Sequence, residues 1–276
     1  MRIAIDHRLS LTPPASASQA VFHLLLTPPG GQSQTIDSWT VDMPGIDNAG
    51  RFTDGFGNVA HLVNQPKPEG EIVITVRGEV TTRDTHGVLG RPAGEPVVAL
   101  YRRVTAQTKA PVTLYGKYRN SKESRLNVLH ALMARVGETL GLPEDKEEGE
   151  AQTQTQTQMQ ADGGQSQSQG VAAPEARVLP PAVDYAHLFI GAARALDIPA
   201  RFVTGYRLVE GEANGLHAWA EAFDERLGWI GFDPSLGHCP TESYVRLAIG
   251  LDAETAPTLR TVPVAEITQT AKVTAV

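Results

Sequence analysis

The sequence predicts an α+β protein: an N-terminal antiparallel β domain, then a domain of helices packed on a second antiparallel sheet. Three observations predict it. The first hundred or so residues alternate apolar and polar side chains and show no useful helical period. The middle of the chain switches to apolar residues at helical spacing. After Pro180 a second helical stripe leads into three short runs rich in aromatic and β-branched residues.

Taken in order, Ile3, Ile5, His7, Leu9 and Leu11 share one face of a first strand. Val21 to Leu26 is an apolar run bounded by Ser-rich and Pro-Pro-Gly-Gly punctuation, as a strand between turns would be. Asp54-Gly55 and Gly57-Asn58 flank Phe56 as turn pairs. Ile72, Ile74 and Val76 alternate, and Val97 to Tyr101 reads as the last run of a β domain spanning 1–104. That domain carries no cluster of chemically active residues and reads as a packing or recognition module.

Leu129, Leu132, Met133, Val136 and Leu140 then define a helix over about 122–140, with Gly141 and Pro143 as its stop. Lys117, Arg119, Lys122 and Arg125, in the stretch from Tyr115 into its first turn, read as a solvated basic face. Residues 144–175 are acidic and then Gln-rich, with too little apolar surface to offset the entropy of ordering. They read as a disordered insertion within a second domain at 105–250. Tyr185, Leu188, Phe189, Ala192 and Leu196 mark a buried helix ending before Pro199. Residues 201–207, 216–223 and 229–233 read as successive strands, and 251–276 as a tail with one further strand.

Composition narrows the chemistry. Basic side chains number 24 and acidic ones 31, for a net charge of −7. That balance argues against a general nucleic-acid binder, which needs a basic face to neutralise phosphates. The single cysteine, Cys239, excludes a disulfide framework and a Cys-rich metal site. His217, Asp233, His238 and Cys239 match no structural zinc spacing, so no metal and no cofactor is expected. With no apolar leader and no run approaching the ~20 residues that span a bilayer, the expectation is a cytoplasmic protein.

One constellation could carry chemistry. Residues 224–228 are turn-like, and pairing Phe223 with Trp229 sets Trp219 opposite Asp233. His217, two residues along on the same face as Trp219, becomes a diagonal neighbour of Asp233, within side-chain reach. A carboxylate that accepts from one imidazole nitrogen leaves the other free as a base. Pairing alone leaves two readings open: an oriented base, or a buried His–Asp pair that satisfies itself.

The runs Asp184-Tyr185-Ala186-His187-Leu188-Phe189, Leu196 to Tyr206, His217-Ala218-Trp219-Ala220-Glu221 and Gly228 to Pro234 resemble the bacterial transglutaminase-like superfamily. Tyr244 to Gly250 and the region from Phe52 to Val80 extend the resemblance. It implies a papain-like fold with the Cys-His-Asp triad of cysteine peptidases and amidases, His217 matching the catalytic His and Asp233 its orienting acid. The same resemblance places the nucleophile in a Gly-x-Cys-x-Asp segment opening the buried helix. Here that segment reads Pro180-Pro181-Ala182-Val183-Asp184, so Ala182 stands where the Cys is expected. A methyl group cannot attack a carbonyl, and Cys239 lies elsewhere, on a connection.

The expectation is therefore a transglutaminase-like protein that binds a peptide or protein partner in the groove between helix and sheet. His217 and Asp233 would remain as a residual dyad, and Trp219, Asp184 and Tyr185 would serve binding. The resemblance also implies ATP-grasp or α-helical-repeat proteins as possible partners. The alternatives are an active peptidase, amidase or acyltransferase using Cys239, and a purely structural subunit whose groove is filled.

Overall fold

The computed structural model describes residues 1–142, 180–209 and 216–276. The Gln-rich stretch at 144–175 lies outside the described residues. The strands are β1 (Arg2–Leu11), β2 (Gln19–Thr27), β3 (Gln34–Asp42), β4 (Gly50–Thr53), β5 (Val59–Pro66), β6 (Ile72–Thr82) and β7 (Val88–Gly90). Helices α1 (Val112–Tyr115), α2 (Arg125–Leu140) and α3 (Ala182–Ala195) follow. Then come β8 (Ala200–Arg207), β9 (His217–Asp224), β10 (Gly228–Phe232), β11 (Tyr244–Gly250), β12 (Leu259–Val262) and β13 (Ile267–Ala275).

Two four-stranded antiparallel sheets, β13-β1-β6-β3 and β12-β2-β5-β4, form a sandwich. Alternation explains its core. Ile3, Ile5, Leu9 and Leu11 of β1 pack against Phe22, Leu24 and Leu26 of β2, with Ile72, Ile74 and Val76 of β6. The tail at 251–276 supplies two strands where one was expected. β12 and β13 fold back onto β2 and β1, so the sandwich is completed only after the second domain.

A five-stranded sheet, β11-β8-β9-β10-β7, carries the helices on one face. Ser124 caps α2 by accepting from the Asn127 amide. Helix α3 packs through Ala186, Phe189, Ile190 and Ala193 in one core with Ala218, Ala220 and Ala222 of β9 and with Phe232. The run Val97 to Tyr101, read as a strand, is instead a 3₁₀ turn at Val98–Arg102. It follows Pro96, and of these residues only Tyr101 is buried, where a strand would bury alternate side chains. Residues 88–90, grouped by sequence with the first domain, pair with β10 as the edge of the second sheet.

The two units share polar contacts as well as core. The outer edge of β11 is met by two side-chain carboxamides from the sandwich. Gln34 exchanges two hydrogen bonds with the backbone of Arg246. Asn58 does the same with Ile249, at 2.8 Å each. Each amide presents the donor and acceptor that a neighbouring strand would offer. The buried ring of His7 reaches Tyr206 of β8 at 2.9 Å.

Candidate functional site

The register is the one the hairpin argument requires: Trp229 pairs with Phe223, and Phe232 with Ala220. The ladder stops there. Asp233 turns away and bridges to His238, its amide donating to the His238 carbonyl. This bend brings its carboxylate under His217, whose Nε2 lies 2.6 Å from Oδ2.

Asp233 is fully buried, and every hydrogen bond to its carboxylate is a donor's. Oδ2 also accepts from the Tyr244 hydroxyl at 2.8 Å. Oδ1 accepts from the Ser235 hydroxyl at 2.6 Å and from the Ser235 amide at 3.1 Å. Burial alone would raise the carboxyl pKa, but His217, Ser235 and Tyr244 together outweigh it and hold it below the usual range. An ionised carboxylate only accepts, so Nε2 of His217 carries the proton that points at Asp233, and in the neutral ring Nδ1 would hold the lone pair. The imidazole is further fixed by stacking near Trp219 and by the Tyr244 ring edge at 5.8 Å. Its side chain stays 18% exposed, enough to meet solvent at one edge. The geometry accommodates both readings of the pair, an oriented base and a His–Asp pair that satisfies itself.

The remaining expected residues are placed differently. Ala182 opens α3 at its first helical position, half-buried, and Asp184 is exposed in the first turn. Tyr185, expected to bind, is buried and its hydroxyl donates to the Gly141 carbonyl. Trp219 is buried too, on the sheet face away from α3, among Val203, Tyr244 and Ile249. One side of it borders a small cavity lined by Thr85, Gly87 and Leu89. The expected groove between helix and sheet is therefore filled by core. The spacing of β9 carries the reason: Ala218, Ala220 and Ala222 take the helix face, which leaves His217, Trp219 and Glu221 on the other.

Cys239 is half-buried, and burial pushes its thiol pKa up, against thiolate formation. Among the described residues no group of three or more His, Cys, Asp or Glu is arranged to hold a metal.

Three features were not read from the sequence. Tyr244 and Ser235 hold Asp233, although both lie in or beside the segments that carry the resemblance. His187 accepts from the Ala253 amide at 3.0 Å and so fastens α3 to the chain after β11. Arg201 and Glu221, opposed on β8 and β9, form a buried ion pair at 2.6 Å. Glu95 and Arg246 extend it into a four-residue ring, with Arg201 stacked 3.8 Å over Trp229. The matching register of two charges inside apolar strands was the available signal.

Two family models match. Residues 159–234 match the transglutaminase-like superfamily, and residues 3–81 match the bacterial transglutaminase-like N-terminal region. This is a transglutaminase-like chain. Among solved structures, a candidate cysteine protease from Cytophaga hutchinsonii superposes with a TM-score of 0.68. It covers 99% of this chain and 90% of its own, at 18% identity, so the likeness is one of fold. The periplasmic domain of TgpA from Pseudomonas aeruginosa gives a TM-score of 0.33 at 14% identity, over 84% of this chain and 90% of that one. An uncharacterized protein of Mycobacterium leprae, ML0607, is 34% identical over 79 residues. Those residues are 25% of this chain and 26% of that protein, so the match spans about a quarter of the relative. No helix among the described residues is long and apolar enough to cross a membrane.

Proposed function

We propose that this transglutaminase-like chain has kept the base and orienting acid of a cysteine hydrolase without its nucleophile, and acts by binding a peptide or protein rather than by turnover. One observation carries the reading: Ala182 occupies the opening position of α3 while the His217–Asp233 pair remains fully assembled. Loss of one triad member typically costs several powers of ten in rate. Because the helix–sheet interface is filled, a partner would meet the surface where His217 and His238 flank Tyr244 rather than enter a groove. That same filled interface favours a second reading, a structural subunit with no ligand of its own.

Ala182→Cys in a Cys239→Ser background tests the proposal. The segment Pro180-Pro181 also departs from the family pattern, so the restored thiol is expected to react with a peptide electrophile no faster than a model thiol. Rapid acylation that disappears on adding His217→Ala would overturn the idea that the site has diverged beyond one residue. In the parent protein, fast labelling of Cys239 at neutral pH would support the enzyme reading instead.

A further inference from the structure

The described sheets have six edges, and five of them are blocked. β7, β4 and β12 are three or four residues long. β11 is capped by Gln34 and Asn58. β3 is interrupted by a register shift between Ile36 and Ser38 and carries Asp37 and Asp42. Such devices keep edges from pairing with other chains. β13 differs: it has nine residues, a continuous register with β1, no proline and one charged side chain, Lys272.

Its outward-facing groups follow from the pairing. Val276 donates to the Arg2 carbonyl, and Ile3 lies opposite Ala275. Hydrogen-bonded pairs recur every second residue, so residues 268, 270, 272 and 274 bond to β1. The N–H and C=O groups of Gln269, Ala271 and Val273 therefore point away from the sheet, and none has a partner among the described residues.

We propose that β13 pairs antiparallel with β13 of a second copy across a two-fold axis at Ala271, joining two sandwiches through one continuous sheet. This register uses all nine residues of each strand and allows about ten backbone hydrogen bonds. It sets Gln269 against the other copy's Val273. It also sets each Lys272 against the other copy's Thr270, so that the two lysines do not face each other. Centring on residue 272 would oppose the lysines directly, and centring on 269 or 273 would shorten the ladder. The buried side chains Ala271 and Val273 then continue the apolar core from one sandwich to the next.

The test is sedimentation of the full chain over a wide protein concentration range, with exposed Thr270 as the handle. The parent protein is expected to dimerise reversibly. Thr270→Lys opposes like charges twice per dimer and Thr270→Glu opposes unlike ones. Their dissociation constants should therefore differ by about tenfold, with Glu the tighter. Hydrogen exchange should slow at the amides of 269, 271 and 273 as concentration rises, while those of 270 and 272 stay unchanged. A parent chain monomeric throughout, or a dimer indifferent to both substitutions, would overturn the proposal.

Discussion

Acid should destabilise this protein through one buried ring. His7 is fully buried between β1, β13 and β8, with Nδ1 on the Tyr206 hydroxyl and Nε2 on the Gln269 side-chain carbonyl. Among the described residues no charged group contributes to its shift. Desolvation lowers its pKa from 6.5 to about 4, against a smaller opposing effect of Gln269. The unfolded chain therefore binds a proton below pH 6.5 that the folded chain refuses until about pH 4. Stability is complete above that window, falls as pH drops through it, and levels off below. The loss works out at about 2 kcal/mol by pH 5 and about 3 kcal/mol by pH 4. His23, His61 and His187 shift in the same direction, so the measurement is a difference. Urea unfolding of the parent and of His7→Gln would be compared from pH 7 to pH 4.5. The parent's stability relative to the variant should shrink by about 2 kcal/mol between pH 7 and pH 5. Parallel pH profiles would refute the reasoning, because they would mean His7 titrates alike in both states.

Two further outcomes are expected. A Cβ at Gly205 would press into the Val245 carbonyl and the Trp219 ring, so Gly205→Ala should cost about 3 kcal/mol, read as a fall in thermal midpoint. Buried Arg194 donates to the carbonyls of Tyr101, Ala200 and Leu251 and to the Thr108 hydroxyl. Arg194→Met should therefore cost about 3–5 kcal/mol in chemical denaturation, and a loss below about 1 kcal/mol would contradict this pinning role.

What could be read in advance follows the range of the interactions. The alternation of β1, the stripes of α2 and α3 and the β9–β10 register are local patterns, and the register alone put His217 beside Asp233. The second pairing of β1, with a strand more than 250 residues away, has no local trace. Nor does the carboxamide capping of β11, since Gln34 and Asn58 look like ordinary loop and turn residues. Trp219 and Tyr185 show a different failure. Both sit in the matching segments, and aromatic residues there suggest binding, yet Tyr185 is taken up by packing and Trp219 is buried with one side on a small cavity. The small alanines alternating through β9 were the clue that the helix presses close. The run at 97–101 was misread because five apolar residues cannot distinguish a strand from a tight helical turn.

The return of β12 and β13 has a consequence for how the molecule is made. A ribosome delivers β1 to β6 first, yet β1 lacks its neighbour on one side, and His7 waits for both Tyr206 and Gln269. The sandwich is begun by β1 to β6 and closed only by β12 and β13, after the α3-bearing domain has emerged between its halves. Nascent chains stalled before residue 259 should therefore hold a half-built sandwich, and its unpaired β1 and β2 edges are the surfaces a chaperone would meet.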